Sequence, residues 1–565
     1  MLCNPIGYEA MCAHAAYRFL AEQLAAAGYP ALRFDYDGTG DSFGSDEDDG
    51  RVESWLASIG HAIDTLRSES GASHIALFGV RLGATLASFA ATDRGDVSSL
   101  LLWAPCRTGK SYLRELRALR AAHSQRDSIV PYESDQELEE AAGFIYTRET
   151  ADALTQMGAA DISNRPAERA LLLGRDDLPN DPRLSKSLTA LGTTVTQAEW
   201  PGYAAMMRDA QDTEIPQAAI ASIIDWLGGQ TKVASGSRAP ALRISAQERP
   251  LLASEDFTEE AVFIETCPQS FGILTRPLKS ERRSDTAVLL LNAGANHHIG
   301  PNRMYVTLAR HLAKMGFPSL RLDIPGIGDS AKGAGSAREQ IYSSSAVQVV
   351  QAAMTHLETR ICAKRFILLG LCSGAYMAFQ TAARDPRVST QILINPQTFE
   401  WKEGDTLESR MRQSYKSTGI YLTSLSKTST LKRMIFGQVD IKGISSVLCR
   451  RLIARSAMTA KSLTTFALKR KPFESHVRQT FRKIAERGTD TLFLFAADDV
   501  GLELTTLHFG THARGISRQK NIDLATFEGA DHTFTRKIPR EQMLSHIVQH
   551  LTERYPECGC VADGD

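Results

Sequence analysis

Short unbroken apolar runs, each leading into a turn of small residues and then an alanine-rich stretch of helical spacing, recur along this chain. Runs at 286–292, 320–324, 366–371, 389–395, 491–496 and 522–527 have the length and composition of strands buried on both faces. With helices between them they predict an α/β fold built on a mostly parallel sheet. Two more strand candidates, 259–266 and 270–275, precede the series, and a helix closes it.

The same rhythm occurs twice. Residues 24–42, LAAAGYPALRFDYDGTGDS, return almost residue for residue at 312–330 as LAKMGFPSLRLDIPGIGDS, and the strand and turn at 74–84 match those around Cys372. The chain therefore reads as two related domains, 1–230 and 255–553, joined by a Gly/Ser-rich linker at 231–254 and followed by a polar tail at 554–565. The first copy begins at the counterpart of the 286–292 strand. Either it has lost the two preceding strands or the given start is internal to a longer protein, and the sequence leaves both open.

In the second copy the strand 366–371 runs directly into Gly370-Leu371-Cys372-Ser373-Gly374. A nucleophile on a tight strand-to-helix turn needs small residues two positions to either side, where the chains cross, and Gly370 and Gly374 meet that need. Cys372, rather than Ser373, falls in the central register. Ser373 takes the next position, whose N–H helps to hold an oxyanion, with Ala293, Gly294 and Ala295 after the 286–292 strand as the source of the second donor. Downstream, Asp498 and Asp499 follow the strand 491–496, and His532 follows the strand 522–527, giving the order nucleophile, acid, histidine. In that arrangement His532 takes the thiol proton, and the acid fixes and charges the imidazole.

The first copy keeps the shape of this site without its chemistry. Arg81 stands at the nucleophile position, and a guanidinium cannot attack a carbonyl. No histidine occurs between 191 and 230, where the base belongs. The acidic turn survives as Gly174-Arg175-Asp176-Asp177, and aligning its G-x-x-D pattern favours Asp499 over Asp498 in the active copy. Arg81 reads either as a kept anion contact or as a relic.

These features resemble the α/β-hydrolase superfamily, specifically its serine-aminopeptidase-like and lysophospholipase-like branch. The resemblance covers most of 255–553 and includes the DxxGxGxS turn from Asp323 to Ser330. It implies tandem α/β-hydrolase domains with inserted lids, the second lid at about 397–488. The chain departs from the usual pattern in carrying cysteine where serine is commoner. GLCSGA together with Asn395-Pro396-Gln397-Thr398-Phe399 also resembles hydrolases associated with bacterial exopolysaccharide and exosortase gene clusters.

Composition changes this picture little. The 565 residues are 43 % hydrophobic and 23 % charged with a net charge of −1, ordinary for a globular chain and without a global signal for nucleic acid. No apolar run reaches membrane-spanning length and no leader pattern opens the chain, so the expected address is cytoplasmic, where nine scattered cysteines stay reduced. Neither a phosphate loop nor a dinucleotide fingerprint occurs, and no cofactor is expected. Cys558-Gly559-Cys560 and Asn296-His297-His298 are weak metal signals, the latter fitting loop chemistry or substrate contact better.

Charge does matter locally, within the expected second lid. Between Lys427 and Lys471 eleven Lys and Arg face a single acid, Asp440, with Leu452, Ile453, Leu463 and Phe466 interleaved at roughly helical spacing. This is either a solvated face or a contact for a carrier-bound acyl group, an anionic saccharide or an anionic membrane surface. The expected activity is ester or thioester hydrolysis through an acyl-cysteine on a small-molecule or carrier-bound substrate. Acyl transfer to a sugar or alcohol and a non-catalytic scaffold role are the alternatives; peptidase action follows only from the resemblance.

Overall fold

The computed structural model describes residues 1–126, 138–178, 181–229, 251–278, 285–332, 340–401, 476–509 and 521–556. The chain divides into two compact units. Met1–Gln125, Pro131–Pro250 and Asn302–Val306 make up the first, and Arg126–Val130, Leu251–Pro301 and Thr307–Asp565 the second.

In the first unit the elements are β1 (Leu2–Cys3), α1 (Tyr8–Ala26), α2 (Arg51–Ser70), β2 (Ala76–Val80), α3 (Leu82–Arg94), β3 (Ser99–Trp103), α4 (Gly109–Arg126), β4 (Leu138–Ala141), β5 (Phe144–Thr147), α5 (Arg148–Thr155), β6 (Arg169–Leu173), α6 (Pro182–Ala190), β7 (Thr194–Ala198), α7 (Tyr203–Met206) and α8 (Gln217–Gly228). Its main sheet is parallel, in the order β1-β2-β3-β6-β7. The stretch 31–34, matching a full strand of the second copy, makes only a single bridge, Leu2 to Arg33. The insertion after Ala104 is α4, the β4–β5 hairpin and α5. Tyr112, Leu113 and Leu116 of α4 are buried in the core, so that helix is part of the domain body.

The second unit contains β8 (Leu251–Ala253), β9 (Phe257–Ile264), β10 (Ser270–Pro277), β11 (Thr286–Leu291), α9 (Met304–Lys314), β12 (Ser319–Asp323), α10 (Ser344–Ile361), β13 (Arg365–Leu371), α11 (Ser373–Arg384), β14 (Val388–Ile394), α12 (His476–Glu486), β15 (Asp490–Ala496), α13 (Val500–Phe509), β16 (Ile522–Phe527) and α14 (Lys537–Arg554). They build a nine-stranded sheet ordered β16-β15-β14-β13-β11-β12-β10-β9-β8. Pairing is parallel from β16 to β12 and antiparallel beyond it. Every residue of β11 and β15 is buried, which is why these strands read as unbroken apolar runs. The parallel part repeats the first unit strand for strand, β1 to β11, β2 to β13, β3 to β14, β6 to β15 and β7 to β16.

Two sequence boundaries need correction. Leu251–Ala253, assigned to the linker, pairs with β9 as the edge strand of the sheet. The C-terminal end of the expected lid is not lid-like: α12 buries Val477, Phe481 and Ile484, and Phe481 lies against Phe379, Phe399 and Phe493 in the core. The rest of that lid from 402 to 475, including all its basic residues named above, lies outside the described residues. So do most of the linker and the tail from 557. Among the described residues no helix is long and apolar enough to cross a membrane.

Candidate active site

Cys372 sits between β13 and α11 with φ 57° and ψ −109°, in a region that side-chain-bearing residues rarely occupy. The turn survives because its neighbours are glycine. A Cβ on Gly370 would lie 2.1 Å from the carbonyl carbon of Gly374, and one on Gly374 would lie 2.7 Å from the carbonyl oxygen of Leu291. The Cys372 N–H donates to the Ile394 carbonyl at 2.9 Å, fastening the turn to β14. Arg81 has the same backbone conformation, φ 54° and ψ −124°, and its N–H donates to Trp103 at 3.0 Å. The two elbows are thus one structure with different side chains at the tip.

The two acidic candidates separate by burial. Asp498 is exposed, whereas Asp499 is buried and its Oδ2 lies 2.7 Å from Nδ1 of His532. Its other oxygen accepts from the Gly501 N–H at 2.7 Å and from Gln397 Nε2 at 3.1 Å. The Cys372 sulfur also acts on the His532 imidazole and favours its charged form. Burial alone would discharge this imidazole, but the Asp499 carboxylate and the Cys372 sulfur outweigh it and hold its pKa well above the ordinary 6.5.

Residues outside the expected set complete the frame. Gln397 touches both Asp499 and His532, its Nε2 lying 3.2 Å from Nδ1. Asn395, at φ 43°, donates through Nδ2 to the His532 carbonyl and accepts at Oδ1 from the Ala496 N–H, tying together the ends of β14 and β15 and the histidine loop. In the first unit the matching position is Ala104, also at positive φ but with no side chain to make that tie. Tyr342 brings its hydroxyl to 3.8 Å from Cys372 Sγ; its ring stacks on Trp401 at 4.4 Å and meets Tyr376 edge-on. Asn395 and Gln397 follow a legible strand, but nothing in the sequence ties Tyr342, thirty residues upstream of Cys372, to the nucleophile.

In the expected oxyanion region, Gly294 donates its N–H to Ser373 Oγ at 2.9 Å, and the same hydroxyl approaches the Asn292 carbonyl at 3.3 Å. The Ser373 hydroxyl is therefore engaged by the loop, and one of the loop's three donors is occupied. Beneath it, the carboxylate of Asp323 faces Nδ1 of His298 at 2.7 Å and accepts from Asn292 Nδ2 and the Asp329 N–H at 2.9 and 3.0 Å. His298, Asp323 and Asp329 have the spacing of a metal-ligand group. The protein's own donors already fill the Asp323 acceptor sites, so this cluster fits a clamp between loop and turn better than a cation site.

The first unit fills its equivalent site with ion pairs. Arg81 donates through Nε to Glu9 at 2.8 Å, bonds Glu115 through Nη2 and lies over the Tyr112 ring. Arg175 pairs with Asp177 at 2.7 Å, and Asp176 accepts the backbone N–H groups of Gly202 and Ala204. Arg81 has its charge answered from within by Glu9 and Glu115.

A family model described as serine aminopeptidase, S33, matches residues 11–150 and 283–464, together more than half of the chain. No curated protein matches it in sequence. Similar solved structures include an esterase from Pyrococcus furiosus, with 14 % identity, 54 % of this chain and 97 % of that one covered, and a TM-score of 0.33. An α/β serine hydrolase without lid from Xanthomonas campestris matches at 12 % identity, with 54 % and 97 % covered and a TM-score of 0.31. Est1E from Butyrivibrio proteoclasticus matches at 12 %, covering 52 % of this chain and 100 % of that one at 0.33. With the family pattern matched in both repeats and the same parallel strand order in both units, the chain belongs to the serine aminopeptidase S33 family of α/β hydrolases.

Proposed function

We propose that the second unit is an acyl-transfer hydrolase, an esterase or thioesterase, that works through an acyl-Cys372 intermediate, and that residues 1–230 form a degenerate partner domain. The observation that carries this reading is the 2.7 Å pairing of His532 with buried Asp499 at a site where the strained elbow presents Cys372, whose sulfur favours the charged form of the same imidazole. His532 takes the thiol proton as sulfur attacks the carbonyl carbon, and Asp499 stabilises the imidazolium. The imidazolium then protonates the departing alcohol or thiol, and a water activated by neutral His532 releases the acid. The same intermediate would serve transfer to a sugar or alcohol, with only the second acceptor changed.

A screen of short-chain p-nitrophenyl esters and acyl thioesters against wild type, Cys372→Ala and His532→Ala tests this. Hydrolysis lost in both variants supports it. Hydrolysis that persists in Cys372→Ala overturns it, and equal alkylation of Cys372 and exposed Cys362 in folded protein favours a scaffold role.

A further inference from the structure

The site has a nucleophile, a base and an acid, yet one of the three loop amides expected to supply its second oxyanion donor is engaged. Gly294 gives its N–H to Ser373 Oγ. On the backbone that leaves the Ser373 N–H with the amides of Ala293 and Ala295 for a charge that forms away from bulk water, where preorganised donors stabilise it most. Tyr342 offers another. Its hydroxyl is 3.8 Å from Cys372 Sγ, so an oxygen one bond beyond a carbon on that sulfur falls within its reach. The ring is buried at 3 % exposure and held by Trp401 in a near-parallel stack, 6° between planes, and by Tyr376 from the side. A hydroxyl fixed in this way needs little reorganisation when charge develops, which is what makes a donor effective.

Building on the acyl-cysteine reading, we propose that the Tyr342 hydroxyl is an oxyanion donor of this site, acting with the Ser373 N–H on the tetrahedral intermediate. As the Cys372 sulfur pair forms the S–C bond, the carbonyl π pair moves onto oxygen. Tyr342 and Ser373 donate hydrogen bonds to that oxygen and transfer no proton. On collapse the pair returns, the bond to the leaving group breaks, and that group departs with the proton His532 had taken from the thiol.

The test compares a probe that makes an oxyanion with one that does not, in wild type, Tyr342→Phe and Cys372→Ala. An aliphatic trifluoromethyl ketone adds to a thiol to give such an oxyanion, is read by fluorine NMR and needs no knowledge of the natural substrate. Iodoacetamide alkylates sulfur without forming one. Tyr342→Phe keeps the ring and its stack, and is expected to weaken the ketone adduct about 100-fold and lower kcat on p-nitrophenyl acetate by a similar factor with KM little changed. Alkylation of Cys372 in the same sample is expected to stay within about twofold, which also shows that the site is intact. Unchanged ketone binding overturns the proposal. So does a parallel loss of alkylation and ketone binding, which would place Tyr342 on the sulfur or in the scaffold. Ester hydrolysis or ketone binding that survives Cys372→Ala sinks the acyl-cysteine reading itself, whatever Tyr342→Phe does.

Discussion

Replacing Asp499 by Asn changes one charge and leaves the shape of the side chain. The amide oxygen can still accept from Gly501 and Gln397, so the turn keeps its hydrogen bonds, while the His532 imidazolium loses its counter-charge. At an effective dielectric of about 20 and a charge separation of about 4 Å the pair is worth roughly 4 kcal/mol. The His532 side chain is 36 % exposed, and solvent screening reduces this to about 2–3 kcal/mol. That is a fall of about 30- to 150-fold in the acylation rate. The new amide N–H also faces Nδ1 and so favours the tautomer with its proton on Nε2, which then cannot take up the thiol proton, and this pushes the loss to the upper end of that range. Stopped-flow acylation with a p-nitrophenyl ester measures the rate, and an NMR titration follows the imidazole. In wild type His532 should stay charged well above pH 6.5; in Asp499→Asn its pKa should fall, since burial then meets less opposition. Acylation within threefold of wild type with an unmoved titration would refute the reasoning.

Asp498→Asn, at an exposed position, should leave acylation within about twofold, which separates the two acids by the same assay. Gly370→Ala should cost about 3 kcal/mol or more, read as a lowered urea midpoint, because its Cβ meets the Gly374 backbone rather than a movable side chain. Arg81→Met should destabilise the first unit by about 3 kcal/mol through loss of the Glu9 partner. Burial already raises the Glu9 pKa, so this penalty is full at neutral pH and eases as Glu9 protonates on acidification, and Glu9→Gln in the same chain should recover much of it in urea denaturation followed by Trp55 and Trp103 fluorescence. For His532 the sign is opposite: a folded pKa above 6.5 adds stability in full below that pH and loses it as pH rises through the folded value. The wild-type advantage over Asp499→Asn should therefore narrow on the alkaline side in urea melts.

The parallel sheet was legible because strands covered on both faces leave unbroken apolar runs, and the elbow because the crossing of β11, β13 and α11 admits only glycine at Gly370 and Gly374. The internal repeat favoured Asp499 over Asp498, but the sequence could not show that Asp499 is buried against His532 and Asp498 is exposed. What stayed hidden is tertiary. Tyr342 enters the site from the turn just before α10, and its relation to Cys372 depends on how that segment packs beside the sheet, which no local pattern encodes. The role of the Ser373 hydroxyl as an acceptor for Gly294 was equally invisible, since it depends on two segments 79 residues apart. The true edge of the sheet at Leu251–Ala253 was lost in a polar context because a three-residue strand has too few positions to show alternation.

The measurement that bears most directly on the central claim is acyl-enzyme trapping. Wild-type protein is mixed with p-nitrophenyl acetate or an acetyl thioester, quenched in acid within the first turnover and mapped by peptide mass spectrometry. The account predicts an acetyl group on Cys372 that accumulates in step with the first-turnover burst of leaving group and forms far more slowly in His532→Ala. An acetyl group on Ser373, or turnover with no adduct that survives unchanged in Cys372→Ala, would contradict it.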